Sequence, residues 1–325
     1  MSSSGEVEIF SKNKKCNQKI LDFPAFGGQG RTLDLLDEQL VLLGENKRGR
    51  RFQYKSIHQP RKGLLGMKFS VEVSPLGNSP FHHTSHAYGN ELVAIGGDFK
   101  TKARLSNTIW NGLNLRWRNG SLFTQFTAGA CQVKLAKDVF LLIGGLREVN
   151  GSNTEMNTVM RLNITEETVE NLPPIKQRRA FHACEVFGRD ILVSGGTHGG
   201  VTVSDEVYNL TTNESIVLDM NSSLRRHKHS LIRLEETIFG LGGLLANDSQ
   251  TSLVKWFDWS DLSWKENKES LLSKNSSNLA VTRFPLSAVD CHAGCTCGLA
   301  GDNRSARIVG GTEAQVVLQN DFNKS

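Results

Sequence analysis

The sequence predicts an all-β protein built from a repeated unit. The first indication is the stretch from Phe181 to Gly196, in which two apolar runs flank a tight turn at residues 188–190 and end at a glycine pair. Turn residues that tolerate a positive φ between β-branched and aromatic runs are typical of a β-hairpin. The second indication is that this pattern recurs along the chain at nearly constant spacing.

The glycine pair marks the repeat. Its first glycine falls at positions 44, 96, 144, 195 and 242, so the copies are separated by 52, 48, 51 and 47 residues. A period near fifty, with two strands already placed, leaves room for a four-stranded sheet in each unit. The aligned glycines, predicted to be structural, are Gly44, Gly96, Gly97, Gly144, Gly145, Gly195, Gly196, Gly242 and Gly243. The residues thirteen positions before the first glycine are His83, Cys131, His182 and His229.

The second half of each unit carries bulky residues seven positions apart. Such a pair on either side of a hairpin turn packs a third strand against a fourth. Core packing is the preferred interpretation of these residues over a ligand role. The pairs are Trp110 and Trp117, Leu162 and Val169, and Phe257 and Trp264, while in the fourth unit Tyr208 keeps only the first position, with Ser215 at the second.

A glycine pair after an apolar strand, followed by a bulky residue and then by Trp seven positions on, resembles the kelch repeat of β-propellers. The resemblance covers residues 6–291 and implies a six-bladed kelch-type β-propeller, with a sixth hairpin reaching its glycine position near Cys291. The first unit departs from the family pattern because Glu45 replaces the second glycine, and the fourth because it lacks the Trp.

The resemblance also implies how the ring closes. Residues 278–291, NLAVTRFPLSAVDC, are apolar enough for two strands. The other two strands of the last blade are expected from the amino terminus, where EVEIF and QKILDF flank a turn and Ile9 and Cys16 keep the seven-residue spacing. A blade made from both chain ends removes the free sheet edges of an open array.

Two cations and a basic run are candidate binding groups. Arg179 and Arg226 each lie three residues before the aligned histidine of their unit, so they are expected on one rim of the channel or, alternatively, in structural bonds to carboxylates and backbone carbonyls. The run Lys47–Lys62 holds seven Lys or Arg and is a possible polyanion contact or a solvated strand face. The repeated histidines are interpreted as hydrogen-bonded spacers. No catalytic set, metal-ligand set or cofactor motif emerges.

The composition is that of an ordinary globular protein, 38% hydrophobic and 22% charged with a net charge of +5. This charge is too small to imply a nucleic-acid partner, and no apolar run is long enough to span a membrane. Acceptors for N-linked glycans point to an extracellular protein, and because the first fifteen residues lack an apolar core we expect a secretory signal upstream of them. The acceptors are Asn119, Asn150, Asn163, Asn209, Asn213, Asn221, Asn247 and Asn275, with two more at Asn303 and Asn323.

The carboxyl-terminal residues change in character. Residues 292–307 form a predicted linker, in which Cys295 and Cys297, with Cys291 before them, suggest disulfides rather than a zinc site. The segment from Arg307 and Ile308 to Gly311 resembles the activation junction of trypsin-like serine protease zymogens. That resemblance implies cleavage after Arg307, a new amino terminus at Ile308, and a start of a protease domain in residues 308–325.

These observations favour a non-enzymatic, extracellular propeller that binds a protein partner through its loops. Only fourteen residues follow Gly311, so no catalytic protease domain is expected in this chain. The alternative is that the ring is the regulatory or targeting part of a secreted trypsin-like zymogen, inactive in this chain.

Overall fold

Every regular element that the structure describes is a β-strand, and no helix occurs among these residues. The structure is a computed structural model. It describes residues 128–218, 225–234 and 236–271 continuously, together with Gly96 and the separate strands given below. The all-β class predicted from the sequence is therefore confirmed for the described part of the chain.

The strands are short and follow one another closely, as the sequence predicts. In chain order they are β1 (Gly5–Ser11), β2 (Lys14–Phe23), β3 (Thr32–Leu36), β4 (Gln39–Glu45), β5 (Arg51–Ile57), β6 (Lys68–Glu72), β7 (Thr84–Tyr88), β8 (Glu91–Ile95), β9 (Asn107–Asn111), β10 (Arg116–Asn119), β11 (Cys131–Lys134), β12 (Val139–Ile143), β13 (Leu146–Val149), β14 (Ser152–Glu155), β15 (Val159–Asn163), β16 (Thr168–Leu172), β17 (Ala183–Phe187), β18 (Asp190–Ser194), β19 (Thr197–His198), β20 (Val201–Thr202), β21 (Glu206–Asn209), β22 (Glu214–Val217), β23 (Arg226–His227), β24 (Ser230–Leu234), β25 (Thr237–Leu241), β26 (Leu244–Leu245), β27 (Leu253–Asp258), β28 (Ser263–Leu271), β29 (Ala280–Pro285), β30 (Val289–His292), β31 (Thr296–Leu299) and β32 (Glu313–Asn320).

Most of these strands form antiparallel four-stranded sheets, and the rest pair in two-stranded ones. Five of the sheets take their strands in chain order: β3-β4-β5-β6, β7-β8-β9-β10, β11-β12-β15-β16, β17-β18-β21-β22 and β24-β25-β27-β28. Where the chain order skips numbers, a small hairpin or strand lies between the second and third strands: β13–β14, β19–β20 and β26. The predicted hairpin at 181–196 is β17–β18, closed by a turn at Gly188 and Arg189.

The seven-residue spacing of bulky residues has the predicted geometric meaning. Each pair lies directly opposite across the third and fourth strands of its sheet, and the residues paired in this way are Trp110 with Trp117, Leu162 with Val169, Tyr208 with Ser215, and Phe257 with Trp264. The rings of Phe257 and Trp264 meet edge to face with centroids 5.3 Å apart. This arrangement is a favourable one for aromatic pairs.

The hydrophobic core lies between successive sheets. Alternation along a strand sends neighbouring side chains to opposite faces. In β18, Ile191 and Val193 pack with residues of β11, β12 and β15, while Leu192 packs with Ile238 and Phe257 of the following sheet. All three β18 side chains are fully buried, so this strand is covered on both faces.

A sixth four-stranded sheet combines both chain ends, in the order β2-β1-β32-β29. The amino-terminal strands were predicted from EVEIF and QKILDF, but Ile9 lies opposite Gln18 rather than Cys16 because the β1–β2 pairing is irregular after Ile9. The strand that pairs with β29 is also not the one expected near Cys291. Instead β32 occupies that place, and β30 pairs with β31 in a separate hairpin.

Candidate functional site

The glycine pairs hold the backbone of the following sheet. The Gly145 amide donates a hydrogen bond to the Arg179 carbonyl at 2.8 Å, and the Gly196 amide donates to the Arg226 carbonyl at 3.0 Å. A Cβ atom at Gly195 would overlap the Arg226 carbonyl oxygen, and Gly195 has a φ of +58°. A residue without a side chain is required there both for the backbone conformation and for the close approach.

The Arg179 side chain is completely buried, and its two terminal nitrogens bind groups of its own unit. Its Nη1 donates to the carbonyl oxygens of Gly195 and Ser204 at 2.7 and 2.8 Å, and its Nη2 forms an ion pair of 2.5 Å with Glu206. The exposed fraction is 0% for both charged side chains. Burial lowers the pKa of Arg179, and the Glu206 carboxylate opposes this shift. The Glu206 carboxylate also accepts from the amides of Lys176 and Gln177.

Arg226 occupies the same place in the next unit. Its Nη1 donates to the Gly242 carbonyl at 3.1 Å, as Arg179 does to Gly195, and its guanidinium lies 5.4 Å from the centroid of the Trp264 ring. Burial lowers the pKa of Arg226 to about 10, against the opposing charge of Asp205. Arg226 is only 4% exposed. The contacts of Arg179 and Arg226 agree with structural bonds to carboxylates and backbone carbonyls, the second of the two roles considered from the sequence. Neither guanidinium reaches an accessible rim.

A buried carboxylate, Asp205, joins two neighbouring sheets. It accepts hydrogen bonds from the Gly195 amide at 2.7 Å, the Ser194 hydroxyl at 3.1 Å and the Trp264 indole at 2.6 Å. The Ser194 oxygen is in turn 3.0 Å from Nε2 of His229. Burial raises the pKa of Asp205, while these three donors and Arg179 oppose the rise. These hydrogen bonds therefore connect the β17-β18-β21-β22 sheet to the β24-β25-β27-β28 sheet through the Asp205 carboxylate.

Two of the three repeated histidines, His182 and His229, are among the described residues, and both are buried. His182 and His229 are 6% and 5% exposed, and a Cβ at Gly144 would approach the Cε1 of His182. Burial, with the nearby Arg179 charge, lowers the pKa of His182 to about 3, and burial lowers that of His229 well below its usual value. Both rings are therefore neutral at physiological pH. His229 is hydrogen-bonded to Ser194, as the sequence predicts, whereas neither ring nitrogen of His182 has a hydrogen-bond partner among the described residues, so for His182 the prediction of a hydrogen-bonded spacer is wrong.

A disulfide joins Cys131 to Cys184, with the two Cα atoms 5.8 Å apart. It links β11 to β17, the first strands of successive sheets, and Cys131 occupies the position where other copies of the repeat carry histidine. The sequence singled out Cys131 only as an exception to the histidine pattern and did not predict this pairing. In the carboxyl-terminal cluster, Cys291 lies opposite Cys297 across β30 and β31.

Sequence reasoning also missed Asp205 and Glu206, although a signal was present. The residue before the glycine pair is Ile95, Ile143 or Leu241 in the neighbouring copies and Ser194 in the fourth. A single polar residue at the end of an otherwise apolar strand requires a buried polar partner. Asp205, which immediately precedes β21, is that partner.

The small hairpins after the glycine pairs form an exposed surface, named here the hairpin surface: residues 146–155, 197–202 and 244–250. Val149 and Val201 on it are 43% and 66% exposed. The first two hairpins contact each other, because Glu155 accepts from the Gly199 amide at 3.2 Å and lies 3.7 Å from His198. A two-residue turn at Asn150 and Gly151, with φ of +51° and +79°, forms the tip of the first hairpin.

The remaining predicted sites have varied surroundings. Asn150 and Asn247 are exposed, whereas Asn163, Asn209 and Asn213 are half-buried in turns between third and fourth strands. Within Lys47–Lys62 the structure describes the backbone of β5, the third strand of its sheet. Gly97, His83, Asn221, Asn275, Arg307 and Ile308 lie outside the described residues, and of Gly44 and Asn119 only the backbone is described.

The described residues hold no cluster of three or more metal-binding side chains. None of their elements is a helix of the length and apolarity that a membrane span requires. No family model matches the chain, and the search of curated proteins returns no match for its sequence.

Proposed function

We propose that the chain is a six-bladed kelch-type β-propeller that acts outside the cell as a non-enzymatic protein-binding platform. The partner contacts the hairpin surface, and the buried network of Arg179, Asp205, Glu206 and Arg226 holds the blades that carry this surface. The observation that carries the binding function is the exposure of Val149 and Val201 on hairpins that leave the same end of successive sheets.

The contacts between sheets support the ring. The first strand of each sheet lies against the first strand of the next, in the series β3, β7, β11, β17, β24 and β29, and β29 lies against β3. A series that returns to its starting strand is what a closed propeller requires, because closure leaves no open inner edge. The β2-β1-β32-β29 sheet, with strands from both chain ends, would act as the closing blade.

The extracellular placement is supported by the disulfide and by the glycan acceptors. Disulfides persist in oxidising compartments and are rare in the cytosol. The bond between Cys131 and Cys184 lies between two blades, where reduction would remove a covalent link of the ring. Exposed acceptors such as Asn150 and Asn247 are positioned to carry carbohydrate.

The alternative function, the amino-terminal part of a trypsin-like zymogen, depends on the segment around Arg307 and Ile308. The strand that follows this segment, β32, pairs with β1 on one side and β29 on the other. Residues 313–320 thus favour membership of the closing blade over the start of a separate protease domain.

The test is affinity capture from extracellular fluid with the whole secreted chain, with and without changes on the hairpin surface. Val149→Lys and Val201→Lys place charges in the proposed contact and should remove the captured partner while leaving the melting temperature unchanged. Leu262→Lys is the matched control, since Leu262 is 39% exposed in the turn between β27 and β28. Equal capture by all variants would refute the proposed surface.

A further inference from the structure

The outer strand β22 has an open edge. It is the last strand of its sheet, and among the described strands it pairs only with β21. The Leu218 amide donates to the Asp205 carbonyl at 2.8 Å, which fixes the alternation of hydrogen bonds along the pair. The backbone groups of Ser215 and Val217 therefore point away from β21, toward the open side.

This edge lacks the charges that protect comparable edges. Charged side chains on an edge strand discourage pairing with a second chain. The outer strand β16 carries Glu170 at its centre, and β28 carries Lys265 and Glu266. In contrast, β22 has no charged residue after Glu214, and Ile216 is 62% exposed.

A glycan acceptor lies next to the β22 edge, which lacks protective charges. Asn213 immediately precedes β22, and its Oδ1 accepts a hydrogen bond from the Tyr208 hydroxyl at 3.3 Å. That bond orients the amide through its oxygen and leaves Nδ2 as the atom available for a sugar. In Asn209, by contrast, Nδ2 donates to Asp190 at 2.7 Å.

We propose that an N-linked glycan on Asn213 shields the β22 edge, and that a chain without it pairs through β22 with a second copy. The inference rests on the proposed extracellular placement. In the modification, Nδ2 of Asn213 forms a bond to C1 of an oligosaccharide, the bond from C1 to the pyrophosphate of its lipid carrier breaks, and the amide loses one proton. The transfer takes place on the unfolded chain, so the burial of Ser215 in the fold does not prevent it.

The residues of the β22 edge favour a second copy of this chain as the partner. In the two-fold antiparallel register centred on Ile216, the outward groups of Ser215 meet those of Val217, Ile216 lies opposite Ile216 of the other copy, and Glu214 lies opposite Leu218. No like charges face each other in this register, and the two exposed isoleucines cover one another. A self-complementary apolar edge of this kind matches a copy of itself.

The experiment uses the full chain secreted from eukaryotic cells, with glycan occupancy read by mass spectrometry and molar mass by light scattering. We expect Asn213 to be occupied and the wild type to be a monomer. Asn213→Gln should double the molar mass, and adding Ile216→Lys should restore the monomer. Asn209→Gln is the matched control for the loss of an acceptor and should remain monomeric. Val169→Lys, on the β16 edge, should not restore the monomer when added to Asn213→Gln.

Each other outcome overturns the inference. A monomeric Asn213→Gln chain, or a dimer that persists with Ile216→Lys, refutes the role of the edge. A secreted chain whose other acceptors are occupied but whose Asn213 is bare refutes the modification while leaving the extracellular placement standing. A chain that is not secreted, or that carries no glycan at any acceptor, refutes the placement itself and the inference with it.

Discussion

Replacing Gly195 by alanine tests whether the glycine pair exists to admit the backbone of the next sheet. The added Cβ would overlap the Arg226 carbonyl oxygen and lie 3.1 Å from the carbonyl carbon. The same carbonyl accepts the Gly196 amide, so moving it breaks a hydrogen bond between neighbouring sheets. Backbone atoms cannot rotate away as a flexible side chain can, so the two sheets must separate.

The cost can be worked out against a control with the same backbone conformation. Gly199 also has a φ of +58°, but a Cβ there would have no neighbour within 4 Å. Gly199→Ala should therefore lower the free energy of unfolding only by the cost of placing alanine in the left-handed backbone region, about 1–2 kcal/mol. Gly195→Ala should lower the free energy of unfolding by this amount and by about 1–3 kcal/mol for the buried hydrogen bond, together about 2–5 kcal/mol.

The free energy of unfolding is measured by urea denaturation of the wild type and the two variants. The melting temperature should fall by about 2–4 °C for each kcal/mol lost. If Gly195→Ala and Gly199→Ala differ by less than about 1 kcal/mol, the close approach of Arg226 has no energetic weight and this interpretation of the glycine pair is wrong.

Three further predictions concern the buried groups. Glu206→Leu should cost about 3–5 kcal/mol because it leaves the Arg179 charge buried without a partner, and Arg179→Met added to it should recover most of that loss in a double-mutant cycle; additive losses would contradict the pairing. The neutral state of His182 should stabilise the fold in full above the pKa of about 6.5 that histidine has in the unfolded chain, and this stabilisation should decline as the pH falls toward 3. Denaturation curves should show a loss of about 2 kcal/mol in the free energy of unfolding at pH 5. A pH dependence that is unchanged in His182→Gln would exclude His182 as its source. Cys131→Ala with Cys184→Ala, which opens a link spanning 53 residues, should lower the free energy of unfolding by about 4 kcal/mol, and a reductant should then have no added effect through this bond.

The sequence predicts the hairpins well because their determinants are local. The turn at Gly188, the apolar run Ile191–Val193 and the spacing of Phe257 and Trp264 each involve residues within one hairpin. Period and alternation alone are sufficient to place such strands, and the structure has them opposite one another as predicted.

The partners between sheets are not predictable in the same way. Arg179 is separated by 27 residues from Glu206, and Trp264 by 59 from Asp205, so no local pattern connects them. The disulfide joins two cysteines that are 53 positions apart, and only one of them falls on a marked position of the repeat. These contacts follow from stacking one sheet on the next, which the period implies without specifying which side chains meet.

The predicted position of the strand that pairs with β29 is wrong for a related reason. Extending the repeat at constant period from Phe257 places the second strand of the last hairpin near Cys291. In the structure the segment between β29 and β32 includes a separate hairpin, β30–β31, so the pairing strand comes later in the chain. An insertion inside one unit breaks the period on which the prediction depended.

The most direct test of the proposed ring is whether the two chain ends share one sheet. Val7 and Leu318 lie opposite each other across β1 and β32. With Val7→Cys and Leu318→Cys, mass spectrometry under non-reducing conditions should find the two segments joined by a disulfide. The control, Val7→Cys with Glu313→Cys, should not form the link, since Glu313 lies opposite Pro285 at the other end of β32. A missing link in the first variant, or equal yields in both, would contradict the closing blade.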